Sequence, residues 1–211
     1  MSIKIVPAVL VKTKEEYNQR VGVIRQLTDR FQLDVIDADF VDNPTLSLQE
    51  VGRPADLKID LDMMVGDPRK YYDHIIRLHP YTVILHFECQ VELGPVIEKI
   101  KKSGLRAGLA IDPETPVKKI KGLIEYLDYF QIMGHSSGFA GQKFQPEVLN
   151  KIPEVRKLRP DIELGLDSGV REQTLKKICS TDLDVVAVNT YLFETEDSLN
   201  RYSTILAECM Q

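Results

Sequence analysis

The chain has 211 residues, 27 Lys and Arg against 32 Asp and Glu, a formal net charge of -5, and 43% hydrophobic with 28% charged residues. That length buries a substantial core and suits one domain, 1–211, near the lower size limit of an eight-stranded α/β barrel. No apolar run approaches the ~20 residues of a membrane span, MSIKIVPAVL lacks a secretory pattern, and the Lys and Arg residues are dispersed among acids. The expectation is a cytoplasmic protein with neither a membrane nor a nucleic-acid partner.

Short β-rich runs alternate with longer helical patterns, the βαβα order of a parallel sheet. The predicted strands are Ile3–Leu10, Leu33–Asp39, Leu57–Met64, Thr82–Glu88, Arg106–Asp112, Tyr129–His135, Ile162–Gly169 and Leu183–Asn189. Helices are expected over 14–30, 45–53, 68–79, 90–103, 116–126, 146–158, 171–179 and 195–209. Eight strands without a Pro/Gly/Ser-rich linker predict a closed (β/α)8 TIM barrel of class α/β, in preference to an open doubly wound sheet. An open dinucleotide-binding sheet carries GxGxxG after its first strand, where this chain reads PAVLVKTKEEY; GxxxxGK[ST], HExxH and GxSxG are absent too. Cys89, Cys179 and Cys209, odd in number and without CxxC spacing, read as structural thiols, not as a disulfide frame or zinc knuckle.

Strands buried on both faces read as apolar runs, so acids within them need a reason. By two-residue alternation Gln32, Asp34 and Ile36 share a face; so do Asp60, Asp62 and Met64; Ile84, His86 and Glu88; and Glu163, Gly165 and Asp167. If those faces point inward, the barrel mouth holds a ring of carboxylates. Alternation alone does not say which face is inward, and a one-residue slip exchanges one acid set for another. Taken singly, Asp37, Asp39 and Asp112 read as caps or polar loop ends. Asp34, Asp62 and Asp167 together read as a site, because three buried carboxylates repel one another unless a cation or a shared proton lies among them. A divalent metal is the simplest resolution. His86 alone reads as a hydrogen-bonded core histidine, and His74 and His79 as surface or packing residues. His135 stands beside the loop MGHSSGFAGQKF, which places Gly138, Phe139, Ala140 and Gly141 in a strand-to-helix turn suited to close approach of a phosphate.

Seven segments in order resemble the ribulose-phosphate 3-epimerase family over nearly the whole chain. IVPAVL is similar to the family's APSIL, DVIDADFVDN to DVMDGxFVPN, IDLDMMVGDP to DVHLMVxxP, VILHFE to ITVHxE, LAIDPETP to xLNPxTP, MGHSSGFAGQKF to MSVNPGFGGQxF, and LGLDSGV to xVDGGV. The resemblance implies a TIM-barrel isomerase of pentose phosphate metabolism that binds a small phosphorylated sugar, a ketopentose 5-phosphate. It also implies a divalent metal, Mg²⁺, Mn²⁺ or Zn²⁺, and an acid/base pair that falls on Asp34 and Asp167.

The family's two metal-binding histidines read Gln32 and Asp62 here, its substrate-contacting serine on the first strand reads Ala8, and its Gly-Ser pair after the eighth strand reads Val188-Asn189. Met64, His86, Met133, Gly138, Gly141 and Gln142 match. The implied substrate-binding positions are therefore Ala8, Met64, His86, Met133, Gly138, Phe139, Ala140, Gly141, Val188 and Asn189, and the metal positions Gln32, Asp34, Asp62 and Asp167. Imidazole suits zinc or iron, whereas this oxygen-only set is better suited to Mg²⁺, Mn²⁺ or Ca²⁺. Val188 would put a β-branched side chain where a phosphate meets the backbone.

The leading expectation is a ketose-phosphate 3-epimerase that moves the C3 proton with two Asp residues. A phosphosugar-binding or scaffold protein that has lost the reaction is an alternative. So is another reaction on a phosphosugar, such as decarboxylation, for which DLKIDLD lacks the DxKxxD spacing because Leu61 takes the final acid's place. Barrels of this kind often form homo-oligomers, and no segment marks an interface.

Overall fold

The computed structural model describes residues 3–209, so both ends of the 1–211 span lie outside the described residues. Eight parallel strands, β1 (Lys4–Val9), β2 (Arg30–Ile36), β3 (Lys58–Met64), β4 (Thr82–His86), β5 (Arg106–Ile111), β6 (Tyr129–Met133), β7 (Glu163–Asp167) and β8 (Val185–Val188), close in sequence order, with β8 paired to β1. This is the expected barrel. Around it run α1 (Lys14–Ile24), α2 (Tyr72–Leu78), α3 (Leu93–Lys102), α4 (Lys151–Leu158), α5 (Glu172–Cys179), the single turn α6 (Thr190–Phe193) and α7 (Ser198–Cys209). None of these is long and apolar enough to cross a membrane.

Each strand serves two cores because parallel barrel strands are covered on both faces. Outward side chains such as Phe31, Leu33, Leu61, Leu85, Phe130 and Leu166 pack with the helices. Leu61 and Phe130 are wholly buried, and truncating either to Ala costs roughly 2–5 kcal/mol. The inward apolar set is small, comprising Val6, Ile84, Ala110, Tyr129, Met133 and Val185. It forms a plug between two polar ends. At the N-terminal end Arg30 donates from Nε to Asp60 (2.6 Å) and from Nη1 to Glu163 (2.7 Å), which also accepts from Arg106 Nη2 (2.6 Å). At the C-terminal end lie the acids of the mouth.

Local chemistry sets the element boundaries. Thr13 and Glu16 form a reciprocal capping box that starts α1, and Tyr17, Val21 and Ile24 give that helix its buried stripe. β2 begins at Arg30, three residues earlier than its apolar run suggests, because Arg30 and Gln32 are paired inside the barrel. It ends at Ile36, where Asp37 Oδ1 accepts from Phe40 N (2.9 Å) and Gly66 N (3.0 Å), the loop-capping role expected of that acid.

Several predicted helices are corrected. Residues 45–53 form no helix; Leu46, Leu48 and Val51 are buried at spacings of two and three, between Pro44 and Pro54, and cover the barrel as an irregular strap. The predicted helix 116–126 is two short 3₁₀ turns, Val117–Ile120 and Ile124–Tyr126, divided at Gly122. The last predicted helix starts later, at Ser198. The expectation for the cysteines is corrected in part: Cys179 and Cys209 end neighbouring helices α5 and α7 with Cα atoms 4.9 Å apart and are joined by a disulfide, while Cys89 is free.

Candidate active site at the barrel mouth

The inward positions of β2, β3 and β7 carry acids near the strands' C-terminal ends, and strand register brings them together. Asp34 lies directly across from Asp62 between β2 and β3, and Met133 across from Asp167 between β6 and β7. The Gln32 amide sits at their focus. Its Nε2 donates to Asp34 Oδ1 (2.8 Å), to Asp167 Oδ2 (2.9 Å) and to Asp62 Oδ2 (3.2 Å). A primary amide has two N–H protons, so three carboxylates compete for two donors.

Asp62 is the most firmly held of the three. Besides Gln32, it accepts from Gln131 Nε2 (3.2 Å) and lies 2.8 Å from His86 Nε2, with no exposed surface. Gln131 is itself oriented by the Tyr129 hydroxyl, which donates to its Oε1 at 3.0 Å. Phe40 packs edge-on against His86. Asp34 and Asp167, in contrast, each have Gln32 as their side-chain partner and open onto the pocket.

Electrostatics follow from this crowding. Burial, then the charges of Asp167 and Asp62, push the Asp34 carboxyl well above its ordinary range, against the pull of the Gln32 hydrogen bond. Burial and the Asp62 charge likewise raise Asp167. Burial opposes the charged form of His86, but the adjoining Asp62, with Glu88 and Asp112 farther off, outweighs it and raises the imidazole. Without a cation, Asp34 and Asp167 hold their protons more tightly than ordinary carboxyls.

The donor chemistry fits a divalent cation. One oxygen from each of Asp34, Asp62 and Asp167 lies within 4.8 Å of the others. A half-turn of the Gln32 amide about its terminal bond presents Oε1 in place of Nε2, which makes the converging set all oxygen. His86, Glu88 and Asp112 form a second such group, but its atoms brace the loops above β4, β5 and β6. Glu88 Oε1 accepts from Asp112 N (3.0 Å) and the Thr115 hydroxyl (2.5 Å), and Asp112 Oδ1 accepts from Ser137 N (3.0 Å) and its hydroxyl. The Ser137 hydroxyl lies 3.2 Å from His86 Nδ1, so this brace fixes the ring that contacts Asp62.

A cavity of ≈ 560 Å³, counted out to the solvent, opens above the acids. Of the expected residues, Asp34, Asp167, Met64, Met133, Gly138, Phe139, Ala140, Gly141 and Asn189 line it. Gln32 and Asp62 form its buried floor. Ala8 faces inward beside Gln32 in the β1–β2 register, and His86 reaches the site through Asp62. Val188 does not line the pocket: Ala187 and Asn189 face it, and alternation turns Val188 outward into the main core, so its β-branched side chain does not press on a ligand there. Leu10, His135, Ser168, Arg171 and Thr190 also line the pocket. Gln131 was not among the expected residues, and its two-residue spacing to Met133 on β6 is the signal that marks it. Arg171 had no pattern to mark it.

The family model described as "Ribulose-phosphate 3 epimerase family" matches residues 4–193. A ribulose-phosphate 3-epimerase of Bacillus subtilis (strain 168) is 28% identical over 212 residues, covering 96% of this chain and 98% of its own. The ribulose-phosphate 3-epimerase of Eremothecium gossypii is 30% identical over 189 residues, covering 83% and 79%. Among solved structures, a 3-hexulose-6-phosphate synthase from Salmonella typhimurium superposes with TM-score 0.74 at 15% identity, covering 99% of each chain. That likeness shows the barrel alone.

Proposed function

Because the chain belongs to the ribulose-phosphate 3-epimerase family, we propose that it epimerises a ketose phosphate at C3, with ribulose 5-phosphate as the first substrate to test, and that Asp34 and Asp167 carry the proton. One observation supports this most: two buried carboxyls on β2 and β7 line one pocket and reach it from different strands, with a single amide between them. Inversion at C3 needs a base on one face of the carbon and an acid on the other. Asp34 and Asp167 supply the two groups, one ionised to take the C3 proton and one protonated to return a proton to the opposite face, and they exchange roles for the reverse direction.

Asp34, Asp62, Asp167 and the Gln32 amide oxygen would hold a divalent ion, and their all-oxygen chemistry favours Mg²⁺ or Mn²⁺ over Zn²⁺. Such an ion, when bound, stabilises negative charge developing on the oxygens next to C3. Asp62 serves as the fixed member, held by Gln131 and His86. Met64 and Met133 line the pocket beside the acids and keep water from the reacting carbon. The loop Gly138–Gly141 receives the phosphate end.

The test is conversion of ribulose 5-phosphate to its C3 epimer by the purified chain, after chelation and after return of Mg²⁺, Mn²⁺ or Zn²⁺. Conversion restored by Mg²⁺ or Mn²⁺, and reduced at least ~10²-fold in Asp34→Asn and in Asp167→Asn, is expected. No conversion under any of these conditions overturns the proposal.

A further inference from the structure

Resting on the phosphosugar reading of the same pocket, the geometry points to Arg171 as the side chain that binds the phosphate and sets the pocket's preference for a phosphorylated over a free ketose. Three observations lead there. Arg171, half-buried at the start of α5, is the one permanent cation among the described residues that line the cavity. Its guanidinium lies over the glycine loop, where a Cβ built on Gly141 would stand 3.8 Å from Nη2. Its side chain enters no ion pair or hydrogen bond among the described residues; only its backbone is engaged, the N–H donating to Thr174 Oγ1 at 2.9 Å and the carbonyl accepting from Thr174 N and Leu175 N at the start of α5. A guanidinium held beside a pocket with its donors uncommitted is arranged to meet an anion.

Charge balance adds a reason. The same cavity carries Asp34 and Asp167, and a dianionic ligand entering it meets carboxyl groups unless a cation in the pocket takes its charge. His135 does not supply that charge, since burial, with Arg171 beside it, lowers its pKa. Where the family resemblance places a Gly-Ser pair, this chain has Val188 turned into the core and an Asn189 side chain at the pocket. The small Gly-Ser pair that the resemblance implies is thus absent here, and Arg171 supplies a contact from the neighbouring β7–α5 loop. With the phosphate held by Arg171 over the glycine loop, the C3 end of a ketose phosphate is left to Asp34 and Asp167.

The experiment compares wild type, Arg171→Met and Arg171→Lys by two readouts. The first is protection by inorganic phosphate against thermal unfolding, which needs no turnover and so stands apart from the epimerase reading. The second is kcat/KM on ribulose 5-phosphate. Phosphate protects the wild type with an apparent affinity roughly 10–100-fold tighter than for Arg171→Met. The loss in kcat/KM for Arg171→Met falls in the same range and is carried by KM, and Arg171→Lys recovers part of both. Unliganded melting of Arg171→Met at the wild-type temperature shows that the fold is intact. Equal phosphate protection of wild type and Arg171→Met, or protection of neither, overturns the assignment. Loss of phosphate protection in Arg171→Met without any turnover by wild type upholds Arg171 and removes the epimerase reading alone.

Discussion

Gln32 on β2 reaches the Asp167 carboxylate on β7 at 2.9 Å, joining two strands that are not neighbours in the barrel. The same nitrogen also serves Asp34 and Asp62. One neutral amide therefore holds together three buried acids. Replacing it by Leu leaves those carboxylates without their shared donor, at a cost of roughly 2–4 kcal/mol. Urea unfolding in chelator measures the loss. Mg²⁺ or Mn²⁺ is expected to stabilise the wild type more than Gln32→Leu, because the variant also lacks the amide oxygen. Equal stability of both proteins in chelator contradicts this role for Gln32.

Ser168 follows the catalytic candidate Asp167 and has φ 78°, in the left-handed region that favours glycine. Ser168→Gly removes a strain of about 1–2 kcal/mol, partly offset by the greater freedom of glycine in the unfolded chain. A melting temperature higher by a few degrees is expected. A lower melting temperature means that the Ser168 side chain makes contacts worth more than its backbone strain.

Gly165 leaves room on β7 for the Tyr129 ring: a Cβ there would overlap the hydroxyl and stand 2.6 Å from Cζ. Gly165→Ala therefore displaces Tyr129, and with it the chain of contacts through Gln131 to Asp62. Thermal unfolding should show a loss of about 1–3 kcal/mol, with a fall in kcat. Adding Tyr129→Phe restores part of the stability, since the hydroxyl is gone but Cζ still crowds the site. Wild-type stability in Gly165→Ala alone rules out this packing argument.

Much of this arrangement was legible in the sequence. Eight strand runs gave the barrel, and two-residue alternation placed Gln32, Asp34, Asp62 and Asp167 on shared faces, which the cross-barrel hydrogen bonds now show to be inward. What stayed hidden depends on approach between segments far apart in the chain. Arg30 looked like a residue outside its strand because its partners Asp60 and Glu163 are 30 and 133 positions away. The Cys179–Cys209 pair depends on how α5 and α7 pack. The strap over 45–53 has apolar residues enough for a helix, but their spacing and the flanking prolines favour an irregular path.

Glu163 gives the stability a definite acid limb. Burial by itself would raise its pKa, but Arg30 and Arg106 outweigh burial and bring it from 4.5 to about 2. A carboxyl whose folded pKa is depressed adds stability above its unfolded pKa and loses it as pH falls toward the folded value. The contribution, about 3 kcal/mol at neutral pH with the side chain only 15% exposed, should therefore fade between about pH 4.5 and about pH 2. Urea unfolding across that window should show wild type converging on Glu163→Gln as pH falls. A constant gap between the two proteins contradicts it.

The most direct measurement of the central claim is solvent deuterium incorporation at C3 of ribulose 5-phosphate, followed by NMR in D₂O with Mg²⁺ or Mn²⁺ present. A proton moved by Asp34 and Asp167 exchanges with solvent through their carboxyls, so the wild type should place deuterium at C3 of the epimer formed, and Asp34→Asn and Asp167→Asn should not. Absence of deuterium at C3 with wild type, or incorporation that continues undiminished in both variants, contradicts the assignment of this pair as the proton carriers.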